Sequence, residues 1–143
     1  SVSKFVALEE EMGLPNDEVF INYSNKINDS KNYFSQKISE IRKSDVKIAA
    51  YGASATSTTL LHHYEMGDYI NYLVDDFKVK QGLYSPGYKI LCFDPSKIYE
   101  DKPDYIIILA WRYYEKIISK HQQYLEQGGK FIIPLPEFKI ISK

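Results

Sequence analysis

The sequence predicts an α/β fold: a parallel sheet sandwiched as the middle of three layers and preceded by two N-terminal helices. Three observations predict it. From Val46 onward, short apolar runs alternate with stretches of helical periodicity, which is the signature of repeated βα units. Before Val46 the apolar residues recur at three- and four-residue spacing only, as helices require. The chain has 143 residues, 44% hydrophobic and 26% charged, which suits one ordinary domain core and excludes a disordered chain.

Element by element, Phe5, Leu8 and Met12 mark a first helix over residues 2–12, stopped by Gly13 and Pro15. Asp17 is placed to cap a second helix that ends near Ser44, with Phe20, Tyr23, Ile27, Phe34, Ile38 and Ile41 along one stripe. That stripe needs cover from the following domain or from a partner, and packing on the chain's own domain is the expected source. Residues 1–44 thus form a helical lead-in to an α/β domain over residues 45–143. Lys47–Tyr51 reads as the first strand, Gly52–Ala55 as the turn after it, and residues 56–66 as a helix ended by Gly67. Tyr69–Val74 reads as the second strand, Lys89–Leu91 as a short third, and Pro95 opens a brief helical turn. Residues 104–110 make a strongly apolar strand, followed by a helix of about 15 residues carrying Tyr114, Ile117, Ile118, His121 and Leu125, ended by Gly128 and Gly129. Phe131–Ile133 reads as the last strand, closed by Pro134 and Pro136.

Composition also bounds the function. Lys+Arg 18 against Asp+Glu 19 leaves a net charge of -1, so the field of the whole domain does not gather nucleic acid. Cys92 is the only cysteine, which excludes an internal disulfide and a multi-thiolate zinc site and fits a reducing cytoplasm. The longest apolar run, Tyr105–Trp111, is far short of the roughly 20 residues that cross a bilayer, and no membrane partner is expected. The 13 tyrosines have two readings, cover for the core or a wet aromatic surface for a partner domain, with Tyr23, Tyr33, Tyr113 and Tyr114 serving the second.

In an open parallel sheet, ligands bind beyond the carboxyl ends of the strands, where loops converge and helix N-termini point free N–H groups into the crevice. Four segments meet that condition: Gly52–Ser57, Asp75–Gly87, Trp111–Tyr113 and Pro134–Glu137. Gly52-Ala53-Ser54-Ala55-Thr56-Ser57 has the spacing of a dinucleotide-binding turn, with serine at the second and third glycine places. A side chain at the second place fills the space where a pyrophosphate meets backbone, which weakens ordinary dinucleotide binding. The hydroxyls of Ser54, Thr56, Ser57, Thr58 and Thr59 either donate to a phosphate or carboxylate or only cap the helix. Asp75 lies 23 residues after Gly52, at the tip of the second strand, where such turns keep a carboxylate for a ribose hydroxyl; an Asp-turn role for Asp75 or Asp76 is the alternative. Adjacent helical histidines point about 100° apart, so His62 and His63 are read as packing or surface residues and no metal site is expected. No nucleophile–base set or His-Glu-x-x-His motif appears, and Cys92 on or beside a strand is expected to be buried.

Taken together, Tyr51-Gly52-Ala53-Ser54-Ala55, Val74-Asp75 with Lys80-Gln81-Gly82-Leu83-Tyr84-Ser85-Pro86-Gly87, Leu109-Ala110-Trp111 and Gly128–Pro136 resemble the C-terminal domain of S-adenosylmethionine-dependent C-methyltransferases acting on nucleotide-linked deoxysugars. The resemblance implies a Rossmann-like domain that follows a zinc-binding domain and a methyltransferase domain in one polypeptide. It further implies that S-adenosylmethionine and the acid/base residues belong to the earlier domains, leaving no catalytic residue, cofactor or metal on this one. The domain would pack on the methyltransferase domain and help enclose the nucleotide-linked sugar. By position, Gly52, Ala53, Ser54, Ala55, Thr56, Ser57, Asp75, Lys80, Gln81, Gly82, Tyr84, Pro86, Gly87 and Trp111 would form its part of the substrate site. Two departures bear on the ligand: Thr56-Ser57 stands for the family's Lys-Gly after the turn, and Tyr88-Lys89 for its Thr-His. Lys80 or Lys89 would then supply the missing charge. On this reading the chain, which does not begin with Met, is expected to be the last part of a larger cytoplasmic enzyme. The alternative is a stand-alone Rossmann-like nucleotide-binding or sensing module without catalysis, and a third reading is a purely structural domain.

Overall fold

The computed structural model describes residues 1–143, which fall into two compact units, Ser1–Tyr33 and Phe34–Lys143. The first unit holds helix α1 (Val2–Glu11) and most of helix α2 (Asp17–Ile41). Asp17 lies in the first turn of α2, where its charge meets the positive end of the helix dipole. No residue of this unit is buried. The stripe predicted along α2 is therefore covered on only part of its length: Phe20 and Tyr23 are 58% and 66% exposed, whereas Phe34 and Ile38 are 0% and 2% exposed.

The second unit is a six-stranded sheet of order β3-β2-β1-β4-β5-β6. Its strands are β1 (Ile48–Tyr51), β2 (Leu73–Val74), β3 (Cys92–Phe93), β4 (Tyr105–Ile108), β5 (Lys130–Ile133) and β6 (Lys139–Ile141). The first five run parallel and β6 is antiparallel to β5. Helix α3 (Ala55–His63) follows β1, α4 (Lys97–Asp101) follows β3, and α5 (Tyr114–Lys120) and α6 (Gln122–Glu126) follow β4. Period-two alternation sends Ile48, Ala50, Ile107 and Leu109 into one core with Phe34, Ile38, Leu60 and Leu61. Ala49, Tyr51, Ile106 and Ile108 point into the other, with Ile98, Ile117, Tyr124 and Leu125. Both faces of the sheet are covered, which is why its central strands read as continuous apolar runs. The predicted three-layer α/β architecture is the observed one.

Five local readings need correction. The second strand is only Leu73–Val74 and the third is Cys92–Phe93; Leu91 instead forms an antiparallel bridge with Tyr84 inside the loop. Gly67 does not end α3, because Glu65 takes the left-handed φ of 54° just past the helix. Gly67 serves packing: a Cβ there would lie 2.0 Å from the Tyr88 ring. The single helix expected after β4 is broken at His121, whose φ and ψ of -116° and 37° are not helical. Phe131–Ile133 is not the last strand, since the chain reverses through Pro134–Pro136 into β6, whose short, half-exposed residues gave little apolar signal.

Phe34 anchors the end of α2, with its ring 5.1 Å from Tyr64 and 5.8 Å from Phe138. Phe34→Ala is expected to cost about 3–5 kcal/mol in urea unfolding. Phe20→Ala should stay within about 0.5 kcal/mol of wild type. Equal costs would show that the two halves of the stripe are buried alike.

Candidate functional site

The order of strands reverses between β1 and β4, because the chain winds from β1 to β2 and β3 on one side and from β4 to β5 on the other. A crevice opens at the carboxyl ends of these two strands, as the switch-point rule requires. It encloses about 540 Å³ and is lined by Tyr51, Gly52, Ser54 and Thr56 from the β1 end, Asp75, Asp76 and Lys80 from the β2 end, and Leu109–Tyr113, Lys116, Ile117 and Lys120 from the β4 side. A smaller hollow of about 150 Å³ lies beside it, lined by Ala53, Ser57, Tyr84, Pro86 and Cys92 and sharing Gly52, Lys80 and Leu109 with the first.

The strand ends approach closely here. Gly52 N–H donates to Val74 O at 2.8 Å and Ala110 N–H to Tyr51 O at 3.1 Å. Gly52 has a φ of +111°, and a Cβ on it would sit 2.9 Å from both the Cβ and the backbone nitrogen of Ala110. Glycine is thus required by conformation and by space together. Past the turn, Ser54 Oγ accepts from Ser57 N–H at 3.1 Å and shares a 2.9 Å hydrogen bond with Ser57 Oγ. Thr58 Oγ1 donates to Ser54 O and Thr59 Oγ1 to Ala55 O, both at 3.1 Å. Four of the five hydroxyls picked out in the sequence are therefore engaged with the helix, and Thr56 alone faces the crevice without such a bond.

Asp75 is committed in the same way. Its Oδ2 accepts from Ala53 N–H at 2.7 Å and from Lys80 Nζ at 3.0 Å, and its Oδ1 accepts from Phe77 N–H at 2.9 Å. Burial alone would raise this carboxyl, but the N–H groups of Phe77 and Ala53 and the Lys80 ammonium outweigh it and hold the group below the usual carboxylate range. Lys80 is correspondingly tied to Asp75.

Asp76 differs. Its Oδ2 accepts from Tyr51 Oη–H at 2.8 Å and its Oδ1 pairs with Lys120, while half of the side chain stays exposed to the crevice. Behind it, His121 Nε2 lies 3.2 Å from Tyr51 Oη and His121 Nδ1 lies 2.8 Å from Tyr99 Oη. Tyr51 spends its proton on Asp76, so His121 donates from Nε2 and accepts from Tyr99 at Nδ1. Burial, then the neighbouring Lys120, pushes the imidazole below its ordinary pKa against the pull of Asp76, which suits this neutral tautomer. Pinning of the ring by two tyrosines accompanies the helix break at His121.

On the far wall, Arg112, Lys116 and Lys120 follow at four-residue intervals and line one side. Lys120 pairs with Asp76, whereas no carboxylate pairs with Arg112 or Lys116; Arg112 lies over the Trp111 ring at 5.2 Å.

Of the residues predicted from sequence, Gly52, Ser54, Thr56, Asp75, Lys80 and Trp111 line the large crevice, and Ala53, Ser57, Tyr84 and Pro86 the small hollow. Ala55, Gln81, Gly82 and Gly87 line neither. Gln81 instead donates to Asp75 O at 3.0 Å, and Gly87 abuts the His62 ring, which stacks on Tyr88 at 4.6 Å. Pro134–Glu137 also stands apart from both cavities. Tyr51, Lys116 and Lys120 were missed, and Asp76 and Arg112 were included only as members of the segments Asp75–Gly87 and Trp111–Tyr113, with no role in binding assigned to them. The spacing of the three cations was legible as one helical face, but the roles of Tyr51 and Asp76 depend on His121, which is remote in sequence. Cys92 is buried, and burial pushes its thiol up to about 11, which makes it inert as a nucleophile. No group of three potential ligands is placed to hold a metal ion, and no helix is long and apolar enough to cross a membrane.

Gly52→Ala is expected to lower stability by more than about 1 kcal/mol, read as a fall in Tm. Asp75→Asn should cost about 2 kcal/mol at neutral pH. Its deficit should shrink below about pH 4, because a depressed carboxyl stabilises the fold above its unfolded pKa and loses that contribution as pH falls through the folded value. Urea titrations across this range check the sign, and a deficit independent of pH would contradict it.

A family model described as the C-methyltransferase C-terminal domain matches residues 1–136. The C-methyltransferase NovU of Streptomyces niveus is 38% identical over 96 residues, 66% of this chain and 23% of that protein, so the chain spans about a quarter of that relative's length. Among solved structures, UDP-D-quinovosamine 4-dehydrogenase from Vibrio fischeri aligns with a TM-score of 0.48 at 14% identity, over 69% of this chain and 95% of that one. With the family model matching nearly its whole length, the chain belongs to the C-methyltransferase C-terminal domain family.

Proposed function

We propose that this domain supplies part of the substrate site of a C-methyltransferase, binding the nucleoside diphosphate end of a nucleotide-linked sugar in the crevice between β1 and β4. The observation that carries the reading is the pair of cations without carboxylate partners, Arg112 and Lys116, beside Trp111 and Tyr113 on the crevice wall. Guanidinium and ammonium groups favour phosphate oxygens, and aromatic faces favour a base or sugar ring. Their charge also disfavours the sulfonium of S-adenosylmethionine in the same place. That cofactor, which supplies an electrophilic methyl group, is assigned to a methyltransferase domain of the same polypeptide outside this chain. Val2, Phe5, Leu8, Met12, Phe20 and Ile21, all exposed, offer the apolar surface for packing on that domain in the cytoplasm. Engagement of the turn hydroxyls and of Asp75 with the fold weighs against the stand-alone dinucleotide-binding module.

Calorimetric titration of the chain with UDP, dTDP, NAD and NADP tests this. A nucleoside diphosphate should bind, with affinity falling as salt rises, and the double variant Arg112→Ala, Lys116→Ala should weaken it by at least about tenfold. Tight binding of NAD or NADP in preference would overturn the reading, as would diphosphate binding that ignores both cations.

A further inference from the structure

We propose that Asp76, not Asp75, reads hydroxyl groups of the ligand in this crevice, and that Tyr51, His121 and Tyr99 form a positioning chain that holds its carboxylate in place. The inference rests on the nucleotide-binding reading of the crevice. Asp75 occupies the position where sequence spacing puts a ribose-binding carboxylate, but its oxygens already accept two backbone N–H groups and an ammonium. An ionised carboxylate has about four acceptor positions. Asp76 uses one on each oxygen, for Tyr51 and for Lys120, and keeps one free on each. Two adjacent acceptors on one rigid group match the two O–H donors of a vicinal diol.

The arrangement behind Asp76 is directional. Tyr99 donates to His121, His121 to Tyr51 and Tyr51 to Asp76, so every member is satisfied without any ligand. His121 is 3% exposed and Tyr51 likewise 3%, so the chain is a packed support and not a solvated one. Lys120 enters from the wall that carries Arg112 and Lys116, placing the hydroxyl-accepting group across from the phosphate-binding cations. The chemical class is a ligand that joins a diphosphate to a vicinal diol. A ribose and a pyranose both carry that diol, and experiment separates them.

The chain and its Asp76→Asn, Asp75→Asn and Tyr51→Phe variants are titrated with UDP, dUDP and UDP-glucose, and thermal melts establish that each is folded. Ribose reading appears as tighter binding of UDP than dUDP, abolished in Asp76→Asn through a loss of at least about tenfold for UDP alone. Sugar reading appears as equal binding of UDP and dUDP with tighter binding of UDP-glucose, again abolished in Asp76→Asn. Tyr51→Phe keeps the carboxylate and should reduce the same preference partially while leaving dUDP unchanged, which a general loss of structure would not do. Diol preference that survives Asp76→Asn, that disappears only in Asp75→Asn, or that is lost equally across all three ligands overturns the proposal while nucleotide binding in the crevice stands. Absence of binding by the wild-type chain to all three overturns both.

Discussion

At the tip of β2 one carboxylate takes N–H groups from two different turns and an ammonium from the second of them, and the geometry of the crevice follows from it. Asp75 joins Ala53, in the turn after β1, to Phe77 and Lys80 in the loop after β2. Half-buried backbone donors need partners, and an ionised acceptor satisfies them more strongly than a neutral one. With that loop fixed, Asp76 is carried to the crevice wall within reach of Tyr51. The absence of a Cβ at Gly52 then lets the β1 turn lie against Ala110. The site is thus built on strand ends, and its polar groups largely serve to hold those ends together.

Two consequences follow for ligand chemistry. The hydroxyl-rich turn carries fewer free donors than its sequence implies, since Ser54, Ser57, Thr58 and Thr59 bond within the helix end. Positive charge available to an anion lies on the opposite wall, on Arg112 and Lys116. This division, a neutral turn facing a cationic helix, differs from a glycine-rich dinucleotide turn, where the backbone itself approaches the phosphates.

The tyrosines are divided between core and surface, and Tyr114, expected at the surface, packs partly against the core. Tyr51, Tyr64, Tyr72 and Tyr124 are buried, and Tyr124 donates to Pro103 O at 2.9 Å from within the core. Tyr23, Tyr84 and Tyr113 are exposed by 66%, 66% and 62%. A phenol can bury its ring and still hydrogen-bond its tip, so composition alone does not allot it to core or surface.

The sequence by itself determined the α/β class, the parallel central strands and the glycine turn at the carboxyl end of β1, because each is a local pattern: alternation of apolar runs, and one residue that alone tolerates the required backbone. Part of the site was legible for the same reason, with Gly52, Asp75, Lys80 and Trp111 standing at strand ends. Tertiary structure decided which carboxylate faces the crevice, where the long helix breaks, and that a sixth strand closes the sheet edge. The first two depend on partners far apart in the chain, Asp76 on Tyr51 and Lys120 and His121 on Tyr51 and Tyr99, and the third on the reversal that lays β6 against β5. Periodicity records which face of an element is apolar, but a hydrogen bond is made by whatever group the fold brings opposite, and that information resides in the packing.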